Sequence, residues 1–163
     1  MRIWIPVVLA AGVTSAQVQN STGAALKKPV PVTLACPAGS QQAGGPGSAF
    51  EASLCLRTSP RVFHGPYVAF WPNGVRQSEG QYQDGFRSGR WVFYDDAGVK
   101  TGETTFKQGS YDGPRLEYFS NGAVRVEEHW VMGKRQGPQK IIAVDGAVAV
   151  TEYRDDRPVA DAR

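Results

Sequence analysis

From residue 63 onward the chain is a succession of short apolar runs separated by turn signals. Trp91-Val-Phe-Tyr94 and Leu116-Glu-Tyr-Phe119 are typical runs. Each is too short for a helix, and its aromatic and β-branched residues suit a pleated strand. A turn follows each run, as Pro72-Asn-Gly, Asp96-Ala-Gly, Ser120-Asn-Gly or Val144-Asp-Gly. The glycine supplies the positive φ of a tight reversal, and Pro72 presets φ at the first corner. Beyond the turn the chain returns as a second strand. Alternate residues of a strand point to opposite faces, so Tyr82, Phe106 and Trp130 mark the packed side of three such strands. The pattern predicts β-hairpins joined by one aromatic layer, and no helix.

The hairpins repeat. Gly65, Gly89, Gly113 and Gly137 stand 24 residues apart. Nine residues after each comes a second glycine, Gly74, Gly98, Gly122 or Gly146. A third, at offset twenty, is Gly85, Gly109 or Gly133, and Asp156 takes that place in the fourth unit. Between them Glu79, Glu103 and Glu127 recur at offset fourteen, and the aromatics at offset seventeen; Tyr153 joins them if one residue is deleted after Gly146. Phe86-Arg-Ser, Ser110-Tyr-Asp and Lys134-Arg-Gln, between the third glycine and the next unit, are expected as connecting loops. Four units of such self-similarity define a tandem-repeat architecture.

The unit Gly89-Arg-Trp91-Val-Phe-Tyr94, with its Gly98, Glu103-x-x-Phe106 and Gly109, resembles the variant MORN repeat of bacterial YwqK-family antitoxins. The resemblance spans roughly Phe63 to Arg157. It implies an all-β, elongated antiparallel meander of four hairpins acting as a protein-interaction or membrane-associated scaffold, without catalytic residues or cofactor. Arg115 and Gln139 depart from the pattern where the second unit has Trp91.

The first third of the chain is of another kind. Met1 to Ala16 has one basic residue, an apolar run and a Thr-Ser-Ala ending, the layout of a secretory signal. The apolar run is shorter than the roughly 20 residues of a spanning helix. The expected location is therefore outside the cytoplasm, in the periplasm, the envelope or the medium. Residues 17–35 read as a flexible tether and 158–163 as a tail, with the repeats over 63–157. Between tether and repeats, residues 36–62 form an irregular segment holding the only two cysteines, Cys36 and Cys55. An even count in an exported chain favours a disulfide, and closing this loop stabilises by roughly 3 kcal/mol. Lipidation of Cys36 is the rival: Leu34-Ala35 fits its signal, whereas Thr33 and Lys27-Lys-Pro29 do not.

Composition and charge narrow the function. The formal charge of +3 falls to +2 once Arg2 is removed with the signal, too little for a nucleic-acid partner. Glu79, Glu103 and Glu127 would lie roughly 10 Å apart on neighbouring hairpins, two strand spacings, wider than the about 5 to 9 Å of paired catalytic carboxylates. They are expected to pair with Arg76, Lys100 or Arg125. His64 and His129 occupy different offsets and share no role, Ser88 and Ser120 sit in turns, and no metal site is expected.

The aromatics carry the binding expectation. A single sheet encloses little, so some of Tyr67, Phe70, Trp71, Trp91, Phe93, Tyr94, Tyr118, Phe119 and Trp130 should line an open face. Trp and Tyr dominate protein interfaces, which makes another protein the expected partner, with a glycan or membrane surface as alternatives. Arg115, Glu117 and Lys140 make the row polar toward the C-terminal end, which places the hot spot around Trp71 and Trp91. The reading is an exported, non-enzymatic binding module. Its rivals are an antitoxin or immunity protein and an envelope enzyme acting on glycan or peptide.

Overall fold

The computed structural model describes residues 32–159. The signal and most of the tether, and the last four residues of the tail, lie outside the described residues. Twelve strands follow one another: β1 (Ser40–Gly45), β2 (Ala52–Arg57), β3 (Phe63–Phe70), β4 (Arg76–Gln83), β5 (Phe86–Tyr94), β6 (Lys100–Lys107), β7 (Ser110–Tyr118), β8 (Val124–Val131), β9 (Lys134–Arg135), β10 (Gly137–Ile142), β11 (Val148–Arg154) and β12 (Arg157–Pro158). They form one antiparallel sheet in chain order, except that β9 and β10 both pair with β8. These two are one leading strand broken at Gln136, whose N–H donates to the His129 carbonyl at 2.9 Å. No helix among the described residues is long and apolar enough to cross a membrane.

Two kinds of turn alternate. Within each unit a three-residue loop ends on a glycine at positive φ, Gly74, Gly98, Gly122 or Gly146, with φ between 80° and 87°. In the first, Gly74 N–H donates to Trp71 O at 2.8 Å and Trp71 N–H to Val75 O at 2.7 Å. The side chain of Asn73 accepts from Val75 N–H, Asn121 from Ala123 N–H and Asp145 from Ala147 N–H. Ala97 holds that place in the second unit, and there Asp95 accepts from both Ala97 and Val99.

Between units the reversal is tighter. Asp84-Gly85, Gln108-Gly109, Met132-Gly133 and Asp155-Asp156 all have positive φ at both residues, the two-residue turn that matches strand twist. Asp156 adopts φ 65° where the other units have glycine, a conformation aspartate tolerates. Phe86-Arg-Ser, Ser110-Tyr-Asp and Lys134-Arg therefore are not loops: Gln83 already pairs with Phe86, Lys107 with Ser110 and Val131 with Lys134. A type I′ turn needs only two residues, so the strand resumes at once.

Register explains the missing residue of the fourth unit. Each leading glycine pairs with the aromatic of its own return strand: Gly65 with Tyr82, Gly89 with Phe106, Gly113 with Trp130 and Gly137 with Tyr153. In the first three hairpins the register slips by one near the loop, at Ala69/Phe70, Phe93/Tyr94 and Glu117/Tyr118. The unmatched residues of the return strands are Gln77, Thr101 and Arg125, each a β-bulge. The fourth hairpin pairs without interruption from Gly137–Tyr153 to Ile142–Val148. The residue deleted after Gly146 is the bulge.

The N-terminal segment is more regular than expected. Instead of an irregular stretch, β1 and β2 form a six-pair hairpin that extends the repeat sheet through β3. The Gly-rich β1 has little strand propensity of its own. It is held by the ladder to β2 and by the Cys36–Cys55 disulfide, with 5.5 Å between the Cα atoms. Ala52, Leu54 and Ala69 form the core there, flanked by Ala43, Leu56, Phe63 and Tyr67. Pro37 packs against Gly65 so closely that an added Cβ would stand 2.5 Å from its Cδ.

Candidate functional site

One face of the sheet carries the aromatic layer. Residues two and seventeen past each leading glycine share this face, because they are cross-strand neighbours two steps apart in the pleat. Phe63 and Tyr67 meet Tyr82 at 5.1 and 5.2 Å between ring centroids, and Tyr82 meets Trp91 edge-on at 5.3 Å. Trp91 continues to Phe106 at 6.0 Å, Phe106 to Tyr111 at 4.8 Å and Tyr111 to Trp130 at 5.1 Å. Arg87 lies 4.6 Å over Trp91, and Arg135 lies 4.1 Å over Tyr153. Rings and guanidinium groups thus alternate from unit to unit at the separations that aromatic and cation–π pairs prefer.

Trp91 is the hub, and it is fully buried at 0% exposure. Its indole lies flat on Gly80 of the neighbouring strand, where an added Cβ would come within 2.4 Å of the ring. Its Nε1–H donates to Gln81 O at 3.2 Å. Neither Gly80 nor Gly102 belongs to the three repeating glycine positions, and both escape a reading of the repeat alone. Glycine inside a strand is itself a sign of close approach, and that signal was available.

At the third unit the same row changes chemistry. Arg115 stands where the second unit has Trp91, and it bonds Glu128 at 2.7 Å and Glu117 at 2.5 Å. Arg125, the bulge residue, holds the other oxygen of Glu117. Glu128 is buried and accepts further bonds from Trp130 Nε1 at 2.9 Å and from Gln139. Burial alone would raise the Glu128 carboxyl, but the bonds from Trp130, Arg115 and Gln139 outweigh it and lower its pKa. Burial likewise opposes the charge on Arg115, and Glu128 and Glu117 reverse the effect and raise its pKa.

The glutamate row lies on the opposite face. Arg76 bonds Glu79 at 2.8 Å and Lys100 bonds Glu103 at 2.7 Å, as expected. Arg125 does not serve Glu127. The bulge turns Arg125 to the aromatic face, and Lys140 of the next hairpin pairs with Glu127 at 3.1 Å instead. Glu103 also receives Arg90, and these bonds, with one involving Tyr118, overcome its desolvation and bring its pKa to about 2.

The nine candidate aromatics separate by burial. Phe70 at 5% exposure and Trp91 at 0% are packing residues and present no ring to a partner. A sheet whose neighbouring strands supply glycine opposite a tryptophan buries it without a second layer. Tyr67, Trp71, Phe93, Tyr94, Tyr118, Phe119 and Trp130 are half-buried. Trp71 Nε1–H donates to Tyr94 O at 3.1 Å, Tyr94 Oη donates to Glu79 at 2.7 Å, and Lys100 lies 4.4 Å over Tyr118. Tyr67 and Phe93 pack against the buried Trp91, whereas Tyr118, Phe119 and Trp130 lie in the third unit. Exposed apolar side chains concentrate instead near the C-terminal end, at Met132, Ile141, Val144, Val148 and Val150.

The histidines remain apart in role. His64 accepts from Arg57 at 2.7 Å beside the Arg57–Asp84 pair, and His129 is exposed. Among the described residues no group of three or more His, Cys, Asp or Glu is placed to hold a metal ion.

No curated protein matches the chain. The sequence profile described as MORN repeat variant matches residues 63–84, which are β3, the loop after it, β4 and Asp84. Residues 63–84 thus carry a MORN repeat variant, and the next three units reproduce its paired strands, turns and leading glycine.

Proposed function

We propose that the chain is an exported, non-enzymatic repeat protein of the cell envelope that binds another protein through its sheet. The observation that carries this reading is the last hairpin, where Val148 and Val150 on one face, Ile141 on the other and Val144 in the turn are 46 to 91% exposed. Val148 and Val150, side by side on one face of β11, favour a partner that removes them from water. The half-buried rings of Tyr118 and Trp130 lie on the strands leading to this hairpin, and that of Phe119 in the loop between them. MORN repeats generally serve as binding modules, which supports the same reading. The Cys36–Cys55 bond and the signal-like residues 1–16 favour an oxidising compartment. Residues 17–35 then form the N-terminal tether of the mature chain, ahead of the stapled hairpin.

The test is a cross-linked pull-down of C-terminally tagged protein from cytoplasmic and envelope fractions, run beside a Val148→Thr/Val150→Thr variant. The reading expects a mature N-terminus at Gln17 and one protein partner in the envelope, captured by the wild type and lost in the variant. A toxin as that partner would make the chain an exported immunity protein. Full-length chain in the cytoplasm contradicts export, and equal capture by the variant contradicts the assigned surface.

A further inference from the structure

On the aromatic face, between the second and third units, a cleft of about 410 Å³ opens at Gly102. It exists because a side chain is missing. A Cβ added to Gly102 would meet only the Leu116 carbonyl oxygen, at 3.0 Å, whereas the comparable space at Gly80 is filled by Trp91. Phe93, Tyr111, Thr104, Arg115, Glu117 and Arg125 line the cleft. Two of its residues, Thr101 and Arg125, are β-bulge residues, so the extra residue in each return strand supplies the rim.

The lining selects for one kind of ligand. Arg115 and Arg125 are neutralised by Glu117 and Glu128, so a bare anion or cation meets no net charge. The pairs do not exhaust their hydrogen-bonding capacity. A guanidinium offers five N–H donors and a carboxylate about four lone-pair sites, and Arg125 is half exposed. A wholly apolar ligand would bury those groups unpaired. A second observation points the same way: Thr104 is 3% exposed, and its Oγ1 has no partner among the described residues. Phe93 offers an aromatic wall against which the C–H face of a sugar ring can stack. The volume lies within the about 300–1,000 Å³ of small-ligand sites.

We propose that this cleft is a subsite for one neutral pyranose unit of a glycan, stacked on Phe93 and hydrogen-bonded by Arg125, Glu117 and Thr104. It concerns a different surface from the exposed C-terminal hairpin and does not depend on the protein-partner reading.

The experiment is an amide NMR titration of the full chain with neutral gluco-, galacto-, manno- and N-acetylated pyranosides, with glucuronate and glucosamine as charged controls. The expected result is millimolar binding of a neutral sugar, with shifts centred on Gly102, Thr104 and Glu117. Thr104→Val removes the hydroxyl while keeping the shape; it should weaken binding about tenfold and leave the melting temperature equal or higher. Phe93→Leu should weaken binding as well, with an unchanged far-UV spectrum. Absence of shifts at the cleft with every neutral sugar, stronger binding of a charged control, or undiminished binding by Thr104→Val would each overturn the proposal.

Discussion

Replacing Gly80 by alanine probes the packing at the centre of the repeat sheet. The new Cβ would stand 2.4 to 2.6 Å from Trp91 Cδ2, Cε2 and Cγ, against an ordinary contact above 3.4 Å. The indole must retreat by about 1 Å or the two strands must separate. Trp91 has no free space for that, being in contact with Tyr67, Tyr82 and Phe106 and hydrogen-bonded to Gln81 O. Overpacking of this kind costs about 1–3 kcal/mol. Loss of the indole bond adds about 1 kcal/mol, and weakened aromatic pairs add about 0.5–1.5 kcal/mol. The lower backbone entropy of alanine returns about 0.5–1 kcal/mol. The expected destabilisation is therefore about 1.5–5 kcal/mol, read as a fall in the urea midpoint at unchanged slope by far-UV circular dichroism. In a Trp91→Leu background the clash is removed, and the same glycine substitution should cost less than about 1 kcal/mol. An equal cost in both backgrounds would refute the steric reasoning.

Other perturbations test the surrounding contacts. Reducing the Cys36–Cys55 bond, which closes a loop across 19 residues, should cost about 3 kcal/mol by urea melts with and without reductant. Arg115→Met leaves buried Glu128 without its cation; about 2–4 kcal/mol should be lost, and Glu128→Gln in the same chain should recover part of it. Acid should destabilise the fold. Glu103 is lowered from 4.5 to about 2 and Glu128 is also lowered, so their contribution is complete above about pH 4.5 and is lost as pH falls toward 2. The full Glu103 shift corresponds to ~3 kcal/mol, but exposed Arg90 is screened by water, and about 1–2 kcal/mol is expected from urea melts across that range. Glu103→Gln should flatten the dependence.

Much of this architecture is legible in the residues themselves. The 24-residue glycine spacing marks the turns, and the aromatic at offset seventeen marks the packed face, because positive φ and strand alternation leave direct traces in sequence. The slip at Gly146 is visible too, although its meaning as a lost bulge requires the register. Three features were hidden for physical reasons. Ser40–Gly45 is a strand through its partner and its disulfide rather than through propensity. Whether a tryptophan in an apolar run is a contact residue or a core residue depends on what its neighbouring strand offers, and Gly80 decides this for Trp91. The cleft depends on another such absence, Gly102, and on bulges that turn Thr101 and Arg125 toward it. Ion pairs between hairpins follow the bulges as well, which is why Lys140 rather than Arg125 reaches Glu127.

The units form one sheet whose aromatic rings touch across the first two junctions, and Arg135 links Trp130 to Tyr153 across the third. Side-chain NOE spectroscopy of the free protein tests this continuity. An unbroken series of contacts is expected from Phe63 through Tyr82, Trp91, Phe106 and Tyr111 to Trp130, with the Trp91 indole close to the Gly80 α-protons. Contacts confined within separate hairpins, with none from Tyr82 to Trp91 or from Phe106 to Tyr111, would contradict it.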